Sequence, residues 1–143
     1  ALDFRIGGES CVMRYPEIDL GMNLMWHSLP LCVHLVGPAR AKRLVVGGES
    51  ITAPTLLEWG VLDEVVADER LMARTSEFAE FYSKKPPVAA QMIKRSINRI
   101  ASALDQSIMD MDADQNILTR NTDDMAEALR AYLAKEEPMF KGD

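Results

Sequence analysis

From residue 68 onward the apolar residues recur every three or four positions almost without a break, a rhythm that suits helices and little else. Leu71, Thr75, Phe78 and Tyr82 fall at intervals of four, three and four. They mark one face of a helix that Asp68 caps and Pro86-Pro87 closes. Val88, Met92, Ser96 and Arg99, beside Ala89, Ile93, Ile97 and Ile100, predict a second helix with a broad apolar stripe. Leu104, Ile108, Met111, Gln115 and Leu118 predict a third, and Thr122 caps a fourth that carries Met125, Leu129, Tyr132 and Leu133 up to Pro138.

The first 67 residues are less regular. Residues 2–6 alternate at the strand period, and Val12-Met13 predicts another short strand before Pro16, which favours extended geometry in the residue ahead of it. Glu17 and Asp19 stand at i and i+2, so in an extended segment both carboxylates point to one side. Pro30 suits the first turn of a helix from about Leu29 to Leu35, and Pro38 opens another that Gly47-Gly48 ends. Thr52 caps a short helix through Trp59, stopped by Gly60, and Val61 to Val66 form a short extended connector. Two or three short strands and about six helices hold too little sheet to close a sheet-based core alone.

At 143 residues and 48% hydrophobic content, the chain can bury one ordinary core. Short apolar runs predict no membrane span, and the N-terminal Ala-Leu-Asp-Phe-Arg-Ile lacks the succession of a signal peptide. The expected compartment is the cytoplasm, or an organelle matrix after processing. A net charge of -6 argues against nucleic acid as a partner. Cys11 and Cys32, in apolar surroundings, read as small buried hydrophobes. Lys84, Lys85, Lys94, Arg95 and Arg99 form a basic cluster, followed by an acidic one of Asp105, Asp110, Asp112 and Asp114. Both read first as solvated helix faces; the basic one alternatively anchors a phosphate-bearing ligand or an acidic neighbouring subunit.

Metal chemistry finds little support. Asp110-x-Asp112-x-Asp114 resembles the start of a calcium loop, but Gln115 stands where that loop needs glycine and Asn121 where it needs glutamate. His27 and His34 are seven apart with no third ligand nearby, so both read as structural, and no serine or cysteine sits in a nucleophile elbow. Glu17 is the best candidate for chemistry. It follows a proline at the mouth of an apolar segment, where partial desolvation suits a carboxylate to giving and taking protons.

Taken together, Tyr15-Pro16-Glu17-Ile18-Asp19-Leu20-Gly21, Val36-Gly37-Pro38-Ala39, Gly48-Glu49-Ser50-Ile51-Thr52-Ala53 and Trp59-Gly60-Val61-Leu62-Asp63-Glu64-Val65-Val66 resemble the crotonase family, the enoyl-CoA hydratases and isomerases. The likeness runs on to Lys135-Glu136-Glu137-Pro138-Met139-Phe140-Lys141-Gly142. It implies an α/β crotonase-like fold, of which this mostly α chain would be the C-terminal part. Residues 1–67 would belong to the core that carries the Pro-Glu segment, and residues 68–143 would form a helical region for oligomerisation and CoA contact.

By the same resemblance Glu17 is a general acid/base acting at Cα or Cβ of a CoA thioester through an enolate. Met25, Trp26 and His27 occupy a turn that is often glycine-rich in the family; Trp26 or His27 would shape the acyl pocket or fill the core. Met25 also stands where dienoyl-CoA isomerases of the family carry an acidic residue. Tyr132 would stack on adenine, or pack on its helix face, and Lys135 would pair with phosphate. No tightly bound cofactor or metal is implied, coenzyme A entering as part of the substrate. The enolate-binding amides would lie in an N-terminal segment or a cleaved partner chain, so these residues alone would be inactive. The implied assembly is a homotrimer or a dimer of trimers; the alternative is a non-catalytic helical oligomerisation module.

Overall fold

The computed structural model describes residues 2–26 and 28–143, with side chains omitted at 106–110. Among these residues four short strands and six helices follow one another. They are β1 (Ile6–Gly8), β2 (Val12–Met13), α1 (Leu29–Val45), β3 (Ile51–Thr52), α2 (Ala53–Glu58), β4 (Glu64–Val66), α3 (Leu71–Ser83), α4 (Pro87–Ala101), α5 (Gln106–Thr119) and α6 (Asp123–Ala134). Single 3-10 turns cover Glu17–Leu20 and Asp68–Arg70. β1 pairs in parallel with β4, and β2 pairs antiparallel with β3. No helix among the described residues is long and apolar enough to cross a membrane.

The main core cluster is drawn from one stretch of sequence. Cys32, Val36, Ala41 and Leu44 of α1 pack with Ile51, with Ala53 and Leu56 of α2, and with Trp59, Val61 and Leu62 of the connection that follows. α1 is two helices meeting at Gly37, whose φ of 76° and ψ of 165° break the helix just before Pro38, where the sequence predicts the break. Arg40 and Arg43 cross the buried Trp59 ring with their guanidinium carbons 5.3 and 5.1 Å from its centroid. That contact joins the second half of α1 to the end of α2.

Three expectations change. The first strand lies at Ile6–Gly8 rather than over residues 2–6, each of its residues paired in parallel with one of Glu64–Val66. Phe4 instead stacks on Tyr82 of α3 at 4.5 Å between centroids, which accounts for the apolar alternation ahead of the strand. Asp68 does not cap α3. Its carboxylate accepts a hydrogen bond from the Ser10 amide at 3.2 Å and ties the end of the β1 region to the entry of that helix.

The third change concerns α5. Its expected apolar face is turned outward at Leu104, Met111 and Leu118, whereas Asp105, Asp112 and Asn116 are buried. Part of the acidic cluster is therefore interior rather than solvated. The reason is non-local: the backbone N–H and side-chain amide of Asn23 donate to Thr119 Oγ1 and Gln115 Oε1, each at 3.0 Å, and its backbone carbonyl accepts from the Asn116 side-chain amide. Asp105 likewise meets His34 of α1 at 2.6 Å. Partners of this kind make polar burial tolerable and leave no trace in the local sequence. Of the expected face, Ile108 lies outside the described side chains, as does Asp110 of the cluster. The basic cluster is exposed, with Lys84 paired to Glu80 and Lys94 to Asp3.

Candidate active site

The segment around Glu17 is not extended. After Pro16 it closes into a 3-10 turn, and Gly21 ends that turn at φ 65° and ψ 22°, its amide donating to the Ile18 carbonyl at 3.0 Å. Glycine is required there twice over. The backbone is left-handed, and a Cβ would stand 3.1 Å from Met125 Cα, where α6 crosses the turn. The extended geometry that would set Glu17 and Asp19 on one side is therefore absent. Asp19 pairs with Arg14. Glu17 turns to Trp26, whose indole N–H donates to Oε1 at 3.0 Å.

The other oxygen, Oε2, is shielded from solvent and has no hydrogen-bond partner among the described residues. Such a carboxylate has one lone-pair region engaged and another open to a proton. Beside it, Tyr15 lies against Cys32 of α1. Burial pushes the Tyr15 hydroxyl up from its ordinary pKa, and the neighbouring Cys32 reinforces the shift. Burial also raises the Cys32 thiol, opposed by a hydrogen bond from Tyr15. Both groups are thus held neutral behind the turn. Cys32 is interior, Cys11 is partly buried against the core, and both are free thiols.

Of the residues singled out in the sequence, the structure brings Glu17 and Trp26 together. Met25 is adjacent to Trp26 in the chain and exposed, and His27 lies outside the described residues. Tyr132 and Lys135 sit at the far end of α6. Tyr132 is 70% exposed. Lys135 ends the helix in the left-handed conformation, at φ 57° and ψ 41°. Because a helix rises about 1.5 Å per residue, Tyr132 lies roughly 10 Å along α6 from the point where Met125 meets the turn. Among the described residues no group of three or more His, Cys, Asp or Glu is placed to hold a metal ion. The Trp26–Glu17 bond was missed in the sequence, where the one cue was an indole donor nine residues beyond the carboxylate.

Comparison with known proteins sets this geometry in context. The chain is 30% identical over 112 residues to 1,2-epoxyphenylacetyl-CoA isomerase of Escherichia coli (strain K12), covering 78% of this chain and 43% of that one. It is 26% identical over 140 residues to 2,3-dehydroadipyl-CoA hydratase of the same organism, covering 98% and 55%. Among solved structures it resembles an enoyl-CoA hydratase/isomerase from Pseudoalteromonas atlantica T6c with a TM-score of 0.88 at 24% identity, covering 97% of this chain and 56% of that one. The chain spans about half the length of the curated relatives it matches. Its fold is that of the crotonases. All of residues 1–143 match the enoyl-CoA hydratase/isomerase family, to which this chain therefore belongs.

Proposed function

We propose that this chain supplies the acid/base side of an acyl-CoA site, with Glu17 moving a proton to or from Cα or Cβ of an enoyl-CoA-type thioester through an enolate. The observation that carries the reading is the state of the Glu17 carboxylate, one oxygen bonded to Trp26 and the other shielded and open. Acid/base catalysis needs a positioned proton carrier with free valence, and this is one. Named relatives include both a hydratase and an isomerase, so the reaction is stated as proton transfer at the thioester rather than as addition of water.

In this reading the amides that stabilise the enolate come from polypeptide beyond these 143 residues, an interaction worth several kcal/mol in the transition state. Met25 and Trp26 border the acyl group, and coenzyme A enters as part of the substrate. Tyr132 and Lys135 at the end of α6 meet its adenine and phosphates, a role that the exposure of Tyr132 supports. The assembly is a homotrimer or a dimer of trimers.

The test is Glu17→Gln in the full-length protein, assayed on crotonyl-CoA. A loss of about 100-fold or more in kcat is expected. Unchanged kcat would instead favour the second reading, a helical assembly module, to which the exposed apolar face of α4 lends support.

A further inference from the structure

Trp26 is 71% exposed, an unusual setting for a large aromatic ring whose burial would otherwise explain its place. Its one polar atom is nevertheless committed, since the indole N–H donates to Glu17 Oε1 at 3.0 Å. Three and two residues before it the chain is held, at Asn23 by bonds to α5 and at Leu24 by burial. The indole is thus presented to the carboxylate from an anchored backbone.

The terminal torsion of a glutamate is broad and nearly two-fold, so a carboxylate without a directional partner exchanges its two oxygens freely. One donor removes that equivalence. Oε1 is committed to the indole, and Oε2 is left shielded with no partner among the described residues. A buried, unpartnered carboxylate oxygen is costly, and functional sites are where such groups persist.

We infer that Trp26 is a positioning residue for Glu17, its indole N–H fixing Oε1 so that Oε2 is the oxygen that exchanges a proton with the thioester. This rests on the reading of Glu17 as the acid/base. Among the described residues the indole N–H donates to the carboxylate, so removing it while keeping the ring acts on turnover, apart from any contact that the ring makes with the acyl group.

The experiment uses the full-length protein with Trp26→Phe, which keeps an exposed ring and removes the N–H, together with Glu17→Gln and the double variant. On crotonyl-CoA, Trp26→Phe is expected to lower kcat about tenfold or more with KM little changed, the scale of one hydrogen bond to a charged group. The same substitution is expected to add no further loss on top of Glu17→Gln. A second readout is independent of the preferred acyl group. The Trp26 indole 1H–15N cross-peak, identified by its disappearance in Trp26→Phe, is expected to move when Glu17 becomes Gln.

Wild-type kcat in Trp26→Phe alongside an inactive Glu17→Gln would overturn the positioning role alone. So would a raised KM at unchanged kcat, the mark of an acyl-pocket wall, or a cross-peak indifferent to Glu17→Gln. Wild-type kcat in Glu17→Gln would overturn the acid/base reading and this role with it.

Discussion

Two stretches of similar length, residues 32–62 and the pair α3–α4, treat their apolar side chains in opposite ways. The first contributes every residue of the buried core cluster. The second buries none of its described residues, although α4 carries the more regular amphipathic pattern. Ile97 is 57% exposed and Ile100 79%, whereas Leu44 is fully buried. Periodicity thus reports that a helix has an apolar face, not whether that face is covered within the same chain. α5 and α6 stand between these extremes. Their interior contacts are made by small or polar side chains, Ala128, Ala131, Asp112 and Asn116.

The largest effect expected from this ranking is at Leu44. Leu44→Ala removes a fully buried side chain at the centre of the packed stretch and is expected to cost about 2–5 kcal/mol in urea unfolding. A loss below about 1 kcal/mol would mean that this stretch is not the stabilising core, and the contrast with α4 would collapse.

The same contrast explains which features the sequence disclosed. The ends of α4 and α6 were legible because their signals are local: Pro86-Pro87 before one, and Thr122 before the other, whose hydroxyl accepts from the Met125 amide at 3.2 Å. Thr52 also stands at a helix start as expected, yet its side chain makes no capping bond. The crotonase-like fold was legible from the order and spacing of several blocks, each weak alone. The orientation of Glu17 was not, since it depends on α6 crossing Gly21 and on an indole reaching back across the segment. Nor was the inward face at α5, where the buried Asp105 and Asn116 answer to groups on His34 and Asn23 that periodicity does not register.

The intermediate region offers the next two tests. Thr122→Ala removes the cap of α6 and is expected to cost about 1 kcal/mol, read from the same denaturation curves. A smaller response is expected from acid. Arg130 holds the Glu127 carboxyl well below the usual range, at about 2, with the Met139 amide adding to the effect. A depressed carboxyl contributes stability that is present above its ordinary value of 4.5 and is lost as pH falls towards 2. Melting temperatures followed down this window are expected to fall less steeply in Glu127→Gln than in the parent chain. Equal slopes would show that the link between α6 and the C-terminal strap at Met139 does not contribute to stability.

The smallest expected effect tests the comparison most sharply. Ile97→Ser places a hydroxyl on the exposed face of α4, where no buried contact is lost, and the change in unfolding free energy is expected to stay within about 0.5 kcal/mol. The physical ground is the proportionality between apolar stabilisation and the area withdrawn from water, which is small at a side chain already in solvent. If the substitution costs more than about 1 kcal/mol, Ile97 is covered in solution. Repeating the measurement over a range of protein concentrations then identifies the cover. A cost that grows with concentration assigns it to a second copy of the chain, because mass action makes the stability of an associated face concentration-dependent. A cost that does not vary assigns it to the chain's own α3 or α5, packed more closely against α4 than the exposed positions of Ile97 and Ile100 indicate.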